Sequence, residues 1–258
     1  LPMVVRLPAG GGTGGAAQHS QSLEAWLTHV PGLKVVYPSN AQDALGLLLA
    51  SIDDDNPVMF FENKTIYPNK SEVTSFDPIP LGKGRIALEG EDVTIISYGK
   101  QVLTALDAAK ELAAEGIKAE VVDIRTLVPL DKDIIRESLE KTHKAIVITG
   151  SQKPIIEDST DARVNLLDAI LYAADPLSKG VSIVFNGNVI AGTRAKKTYA
   201  YSYNAFSSVN FPFLAIIQNG RIIRFIEAKE NKKPVSFHRQ LHESVVILKL
   251  IPGTREDI

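Results

Sequence analysis

His19 lies in Gln18-His19-Ser20-Gln21, two alanines after the glycine run Gly10-Gly11-Gly12-Thr13-Gly14-Gly15. An imidazole donates or accepts a proton near neutral pH. A glycine run permits tight backbone or close contact with a ligand. Taken alone, a histidine at a helix start more often makes a local hydrogen bond than it catalyses, and geometry decides between the two. Lys196 and Lys197 form a second pair of interest. A lysine serves as a base only when burial or nearby positive charge lowers its pKa; the plain alternative is a solvated pair on a hairpin. The chain has no cysteine, which excludes disulfides, thiolate nucleophiles and zinc–thiolate sites, and no metal site is expected.

The bulk properties narrow the partners. The 28 basic and 30 acidic residues give a formal net charge of −2, so neither nucleic acid nor an anionic membrane is expected as a partner. A small-molecule substrate fits better. Apolar content of 45% is enough for a real core. No apolar run approaches the ~18–20 residues of a membrane span. The opening residues lack the pattern of a signal peptide, and a cysteine-free chain fits a reducing cytoplasm.

The elements that must position these residues alternate between strand and helix. Strands are expected at residues 1–7, 33–37, 58–61, 93–97, 119–124 and 145–148, with helices at 18–30, 40–52, 102–114 and 132–141. Ser39 or Asn40 can cap the second helix, and Gly116 ends the third. Residues 63–82, rich in Pro, Asn, Ser and Lys, read as a linker. This spacing implies α/β units with mainly parallel sheets and right-handed crossovers. After Gly150 the texture changes. A helix is expected at 160–174, followed by two hairpins with turns at Asn186-Gly187 and Asn219-Gly220. A last strand is expected at 245–250.

Three stretches give the upstream part a family resemblance. They are Ala17-Gln18-His19-Ser20-Gln21-Ser22-Leu23-Glu24-Ala25-Trp26, Pro31-Gly32-Leu33-Lys34-Val35-Val36-Tyr37-Pro38-Ser39 and Val122-Asp123-Ile124-Arg125-Thr126-Leu127-Val128-Pro129-Leu130-Asp131. Residues 1–144 resemble the beta subunit of the 2-oxo acid dehydrogenase decarboxylating component, as in the pyruvate and branched-chain complexes. The resemblance implies a partial transketolase-like pyrimidine-binding domain over 1–75 and the start of a transketolase-type C-terminal domain over 84–144. It implies an alpha–beta oligomer, with thiamine diphosphate and magnesium held only when an alpha subunit is present. A lipoyl-bearing acyltransferase would accept the acyl group. His19 falls on the family's active-site histidine near the cofactor. The glutamate that activates the aminopyrimidine lies, in the family, upstream of the residues present here. Asp123 and Arg125 read as fold-forming.

The downstream part carries a different series. It runs Ile148-Thr149-Gly150-Ser151-Gln152-Lys153-Pro154, Ser159-Thr160-Asp161-Ala162-Arg163-Val164-Asn165-Leu166, Val184-Phe185-Asn186-Gly187, Gly192-Thr193-Arg194-Ala195-Lys196-Lys197 and Asn204-Ala205-Phe206-Ser207-Ser208-Val209-Asn210-Phe211-Pro212, with Leu248-Lys249-Leu250-Ile251-Pro252-Gly253-Thr254 last. Residues 145–258 resemble bacterial and archaeal L-asparaginase, which uses a threonine nucleophile and no cofactor. The resemblance implies that Lys197, with Lys196 the near alternative, helps activate that nucleophile, and that Ser151 and Gln152 contact substrate. Asp161 reads as a structural residue at a helix N-terminus. Gly11-Gly12-Thr13 spells the family's first threonine motif, but its neighbours match the dehydrogenase subunit, so it reads as coincidence.

Three functions follow. The first is a component of a thiamine diphosphate-dependent 2-oxo acid dehydrogenase, acting in oxidative decarboxylation and acyl transfer to lipoamide. The second is an amidohydrolase that converts L-asparagine to L-aspartate and ammonia. The third is a composite or engineered α/β chain that is catalytically incomplete alone, since catalytic groups acting as a unit lose most of their effect when one is missing. The change of identity falls near 140–150, inside a helix–strand unit that suits both families, and the two halves are expected to share one sheet.

Overall fold

The computed structural model describes residues 1–142, 146–153, 158–199 and 202–227. The strand expected at 245–250 and the closing motif around Pro252 lie outside the described residues, as does the start of the strand at 145.

The chain is α/β. In the first sheet, β1 (Met3–Ala9), β3 (Pro57–Asn63) and β2 (Lys34–Val36) run parallel, in that order. Period-two alternation sends Val36, Val58 and Phe60 to one face, where Leu47 of α2 (Ala41–Ile52) covers them. Val35, Tyr37, Met59 and Phe61 face the other way, against Leu27 of α1 (Glu24–Thr28) and Tyr98. This is a three-layer unit. Asn40, not Ser39, caps α2: its Oδ1 accepts the Asp43 amide at 2.9 Å.

Two expectations are corrected here. The helix over 18–30 is only a 3-10 turn, Ala17–His19, followed by the short α1. The Gln21 carbonyl accepts Gly10 N–H across the loop at 2.9 Å, so it is not free to continue a helix. The stretch 63–82 is not a loose linker. Gln42 Oε1 accepts the Thr74 and Ser75 amides at 2.8 and 3.0 Å. Ile79 packs so closely on Gly46 that a Cβ there would lie 2.5 Å from the Ile79 side chain.

The second sheet has order β4-β6-β5, with β4 (Arg85–Leu88) antiparallel and β5 (Val93–Ser97) parallel to β6 (Ala119–Asp123). Val102, Ala105, Ala109 and Leu112 of α3 (Gln101–Ala114) cover Val93 and Val121 on one face. On the other face, Glu120 meets Lys141 of α4 (Lys132–Thr142). The α3 helix ends as expected: Gly116 has φ 82°, and Ile117 N–H returns to the Leu112 carbonyl at 3.0 Å. A short strand not read from sequence, β7 (Thr126–Val128), leaves this unit and pairs with β2 on the edge of the first sheet.

The third sheet has order β14-β13-β10-β9-β8. Its strand β8 (Ile146–Ile148) runs parallel to β9 (Val181–Phe185), while β10 (Asn188–Ala191), β13 (Ala215–Gln218) and β14 (Arg221–Arg224) follow antiparallel. Both Asn-Gly turns form, with positive φ at Asn186, Gly187, Asn219 and Gly220. α5 (Ala162–Ala174) packs Ala169 and Tyr172 on Val184 and Val189. Lys196 and Lys197 do lie on a hairpin, β11 (Ala195–Lys197) paired with β12 (Phe206–Ser208). The halves do not share one hydrogen-bonded sheet among the described residues: β8 pairs with β9, and β5 ends a separate sheet. Val147 nevertheless packs against both cores. No helix among the described residues is long and apolar enough to cross a membrane.

Candidate functional sites

The upstream site is built where β1 and β3 end side by side. Asn63, the last residue of β3, lies against Gly10: a Cβ there would sit 2.5 Å from the Asn63 amide nitrogen. Gly10 has φ 88°, a conformation that L side chains rarely adopt. The Gly10–Gln21 bond closes the loop. Within it, the Ala16 carbonyl accepts the His19 amide at 3.3 Å and the Ser20 hydroxyl at 2.7 Å, although Ala16 itself has φ 58°. The His19 side chain is exposed, and its ring has no hydrogen-bond partner among the described residues. Lys64, just past β3, donates from Nζ to the His19 carbonyl.

An aromatic floor lies on the same side of the sheet. Tyr37 stacks on Phe61 and meets Tyr98, each at 5.6 Å between centroids. Asn63 Nδ2 donates to Tyr37 Oη at 3.4 Å, and Tyr98 Oη donates to Glu24 Oε1 at 3.2 Å. Burial pushes Tyr37 up to about 12. Burial also raises Tyr98, helped by the Glu24 carboxylate. Both phenols are therefore protonated at neutral pH. The other Glu24 oxygen is buried with no hydrogen-bond partner among the described residues.

Asp123 and Arg125 join a charge network that ties the first sheet to the second. Arg85 Nε reaches Asp43 at 3.0 Å, and Arg125 Nη2 reaches the other Asp43 oxygen at 2.8 Å. Ser39 Oγ donates to Asp123, which Arg85 also meets at 3.4 Å. Burial raises the Asp123 carboxyl against the lowering effect of Ser39 and Arg85. A cavity of about 560 Å³ opens beside this network, lined by Ser39, Asn40, Asn63, Tyr67 and Lys70 among others, but not by His19.

The downstream candidates also meet. Lys197 Nζ donates to Gln152 Oε1 at 3.4 Å, and Gln152 Nε2 donates to the Ser202 carbonyl at 2.7 Å. Asp161 accepts the Gln152 and Lys153 amides at 3.0 and 3.1 Å. It therefore acts on the incoming loop rather than capping its own helix, where it makes no side-chain cap bond. Ser151 and Lys197 are exposed. The burial that a basic lysine requires is not supplied by the described residues. Thr198 and Ser207 hydroxyls lie 2.5 Å apart across β11 and β12. No hydrogen bond joins His19 to Gln152 or Lys197 among the described residues.

The sequence reading missed Lys64, Tyr98 and Glu24. Lys64 lies 45 positions from His19, and Tyr98 lies 74 from Glu24. No local pattern signals either contact. The only available signal was that Lys64 follows a strand parallel to the one that enters the glycine loop.

Comparison with known proteins divides the chain along the same lines. Residues 1–70 match the transketolase pyrimidine-binding domain, and residues 82–155 match the transketolase C-terminal domain. Residues 134–230 match the N-terminal asparaginase family, overlapping the transketolase match across α4 and β8. The upstream part is thus similar to transketolase-type domains. More particularly, it is similar to beta subunits of 2-oxo acid dehydrogenases and of a related oxidoreductase. The beta subunit of acetoin:2,6-dichlorophenolindophenol oxidoreductase from Bacillus subtilis is 56% identical over 149 residues, covering 57% of this chain and 44% of that protein. The mitochondrial pyruvate dehydrogenase E1 component subunit beta of Caenorhabditis elegans is 49% identical over 153 residues, covering 57% and 44%. The 2-oxoisovalerate dehydrogenase subunit beta of Bacillus subtilis is 49% identical over 154 residues, covering 59% and 47%. The chain spans a little under half the length of these relatives. Among solved structures, an inactive beta4 tetramer of a split-gene transketolase aligns over 70% of this chain and 55% of its own, at 28% identity and a TM-score of 0.48.

Proposed function

We propose that residues 1–144 act as part of a beta subunit in a thiamine diphosphate-dependent 2-oxo acid dehydrogenase. In this reading His19 is the proton-transfer group. The observation that carries it is the exposed His19 ring, without a hydrogen-bond partner among the described residues, on a glycine loop whose backbone is bonded at both ends. An imidazole so placed can give or take a proton from a group presented by a second chain. Residues 1–75 would form the pyrimidine-domain part and 84–144 the C-terminal-domain part, with the asparaginase-like portion from about 145. The partners are an alpha subunit and a lipoyl-bearing acyltransferase, in an oligomer.

The residues of this chain fit only part of the cofactor. An open glycine edge at Gly14, with nothing within 4 Å of an added Cβ, and a nearby exposed imidazole suit a ring presented from outside. No group of three or more His, Asp or Glu side chains converges among the described residues, and in this reading the magnesium diphosphate end is held by the alpha subunit. The chain is catalytically incomplete alone, and an alpha subunit must supply the missing end. Reductive acylation of a lipoyl domain by this chain mixed with an alpha subunit, thiamine diphosphate, magnesium and pyruvate tests the reading. Turnover by the complex that His19→Ala leaves unchanged would reject the role of His19.

A second reading, the amidohydrolase, is favoured by one observation: Lys197 and Gln152 meet across 45 residues of sequence. Ammonia release from L-asparagine tests it, and activity unaffected by Lys197→Ala would reject Lys197 as the activating group. The chain is a composite in either case, and intact-mass measurement of the purified protein checks that both portions lie on one polypeptide.

A further inference from the structure

We infer that Lys64, acting with Asn63, is a positioning residue that sets the His19 loop; this deepens the proposed function, on which it rests for the role of His19. The two residues follow one another at the end of β3 and grip the loop at opposite ends. Asn63 fills the space over Gly10, where β1 gives way to the loop. Its own amide is fixed on both sides: Oδ1 accepts the Thr65 amide at 3.0 Å and the Thr65 hydroxyl at 2.7 Å, and Nδ2 donates to Tyr37. Lys64 then reaches the far end of the loop and donates to the His19 carbonyl.

That choice of acceptor matters. The ammonium binds backbone and leaves the imidazole free, so the bond orients His19 without occupying it. Beside the Gly10–Gln21 bond and the Ser20 hydroxyl on the Ala16 carbonyl, the turn at His19 itself is closed by 3.3 Å bonds from the His19 and Ser20 amides to Ala16 and Ala17. It also contains Ala16 at φ 58°, which opposes the closed form. The ammonium of Lys64, in the turn that directly follows β3, adds a charge-assisted restraint on the His19 backbone from outside the loop.

Amide exchange by mass spectrometry on the full chain tests this, with Lys64→Met to keep the apolar stem and remove the charge. Exchange over residues 16–20 should accelerate about tenfold, while β2 and β3 keep their protection. Lys64→Arg should restore it. The His19 ring signal, assigned by its loss in His19→Gln, should shift in Lys64→Met. Unchanged exchange and an unchanged ring signal in Lys64→Met would overturn the inference. So would acceleration that Arg fails to reverse. The two readings separate cleanly. A loosened loop without thiamine diphosphate binding in the presence of an alpha subunit leaves Lys64 its role and removes the proposed function. Binding with an unmoved loop does the opposite.

Discussion

The His19 loop and the Gln152–Lys197 cluster both bring candidate groups into contact with distant residues, but they spend those groups differently. Upstream, the scaffold bonds fall on backbone: Gly10 on the Gln21 carbonyl, Lys64 on the His19 carbonyl. The imidazole is spared. Downstream, the candidate side chains are themselves the scaffold, since the Gln152 amide is taken by Ser202 and Lys197. The helices repeat the contrast. α3 buries its apolar stripe, whereas α5 leaves Val164 and Leu167 60% and 65% exposed. A resemblance to an active site is stronger where the structure holds a residue in place without using its reactive atoms.

The largest effect is expected at the upstream charge network. Asp43 is buried and bonds both Arg85 and Arg125. Asp43→Ala would leave the two cations without it and should cost about 3 kcal/mol in urea unfolding. A loss below about 1 kcal/mol would mean that the network does not join the sheets. Gly10→Ala should cost about 1–2 kcal/mol through its positive φ and the collision with Asn63, and should loosen the His19 loop. A thermal melt unchanged from wild type would show that the backbone at Gly10 does not need glycine.

A smaller effect is expected in α5. Burial alone raises the Asp168 carboxyl. The folded state then binds this proton more tightly than the unfolded chain. Stability is present below the ordinary carboxylate range and is lost as pH rises through the raised value. Asp168→Asn should flatten that fall in melts recorded across the acidic range. An unaltered pH profile would show that Asp168 is solvated. Least of all should change in Lys197→Ala, whose single bond is exposed. Stability should move by less than about 0.5 kcal/mol, and a larger loss would make Lys197 part of the fold.

Much of the fold was legible because each long element signals itself. α3 carries an apolar stripe and a glycine stop, and both Asn-Gly turns fix their hairpins. The failures share a cause. The helix expected at 18–30 is broken by a bond from Gly10, nothing in the local sequence of 18–30 shows that competition, and β7 forms only because a strand more than eighty residues away offers an edge. The site was half legible. His19 was singled out through the resemblance of Gln18-His19-Ser20-Gln21 to the 2-oxo acid dehydrogenase beta subunit. Lys64 did not, because a lysine after a strand is an ordinary surface residue until the loop closes over it.

Calorimetry of thiamine diphosphate with magnesium, titrated into the chain with and without a 2-oxo acid dehydrogenase alpha subunit, tests the central claim most directly. Binding heat is expected only when the alpha subunit is present, reduced in Lys64→Met and recovered in Lys64→Arg. Heat from the chain alone, or none with the alpha subunit at saturating cofactor, would contradict it.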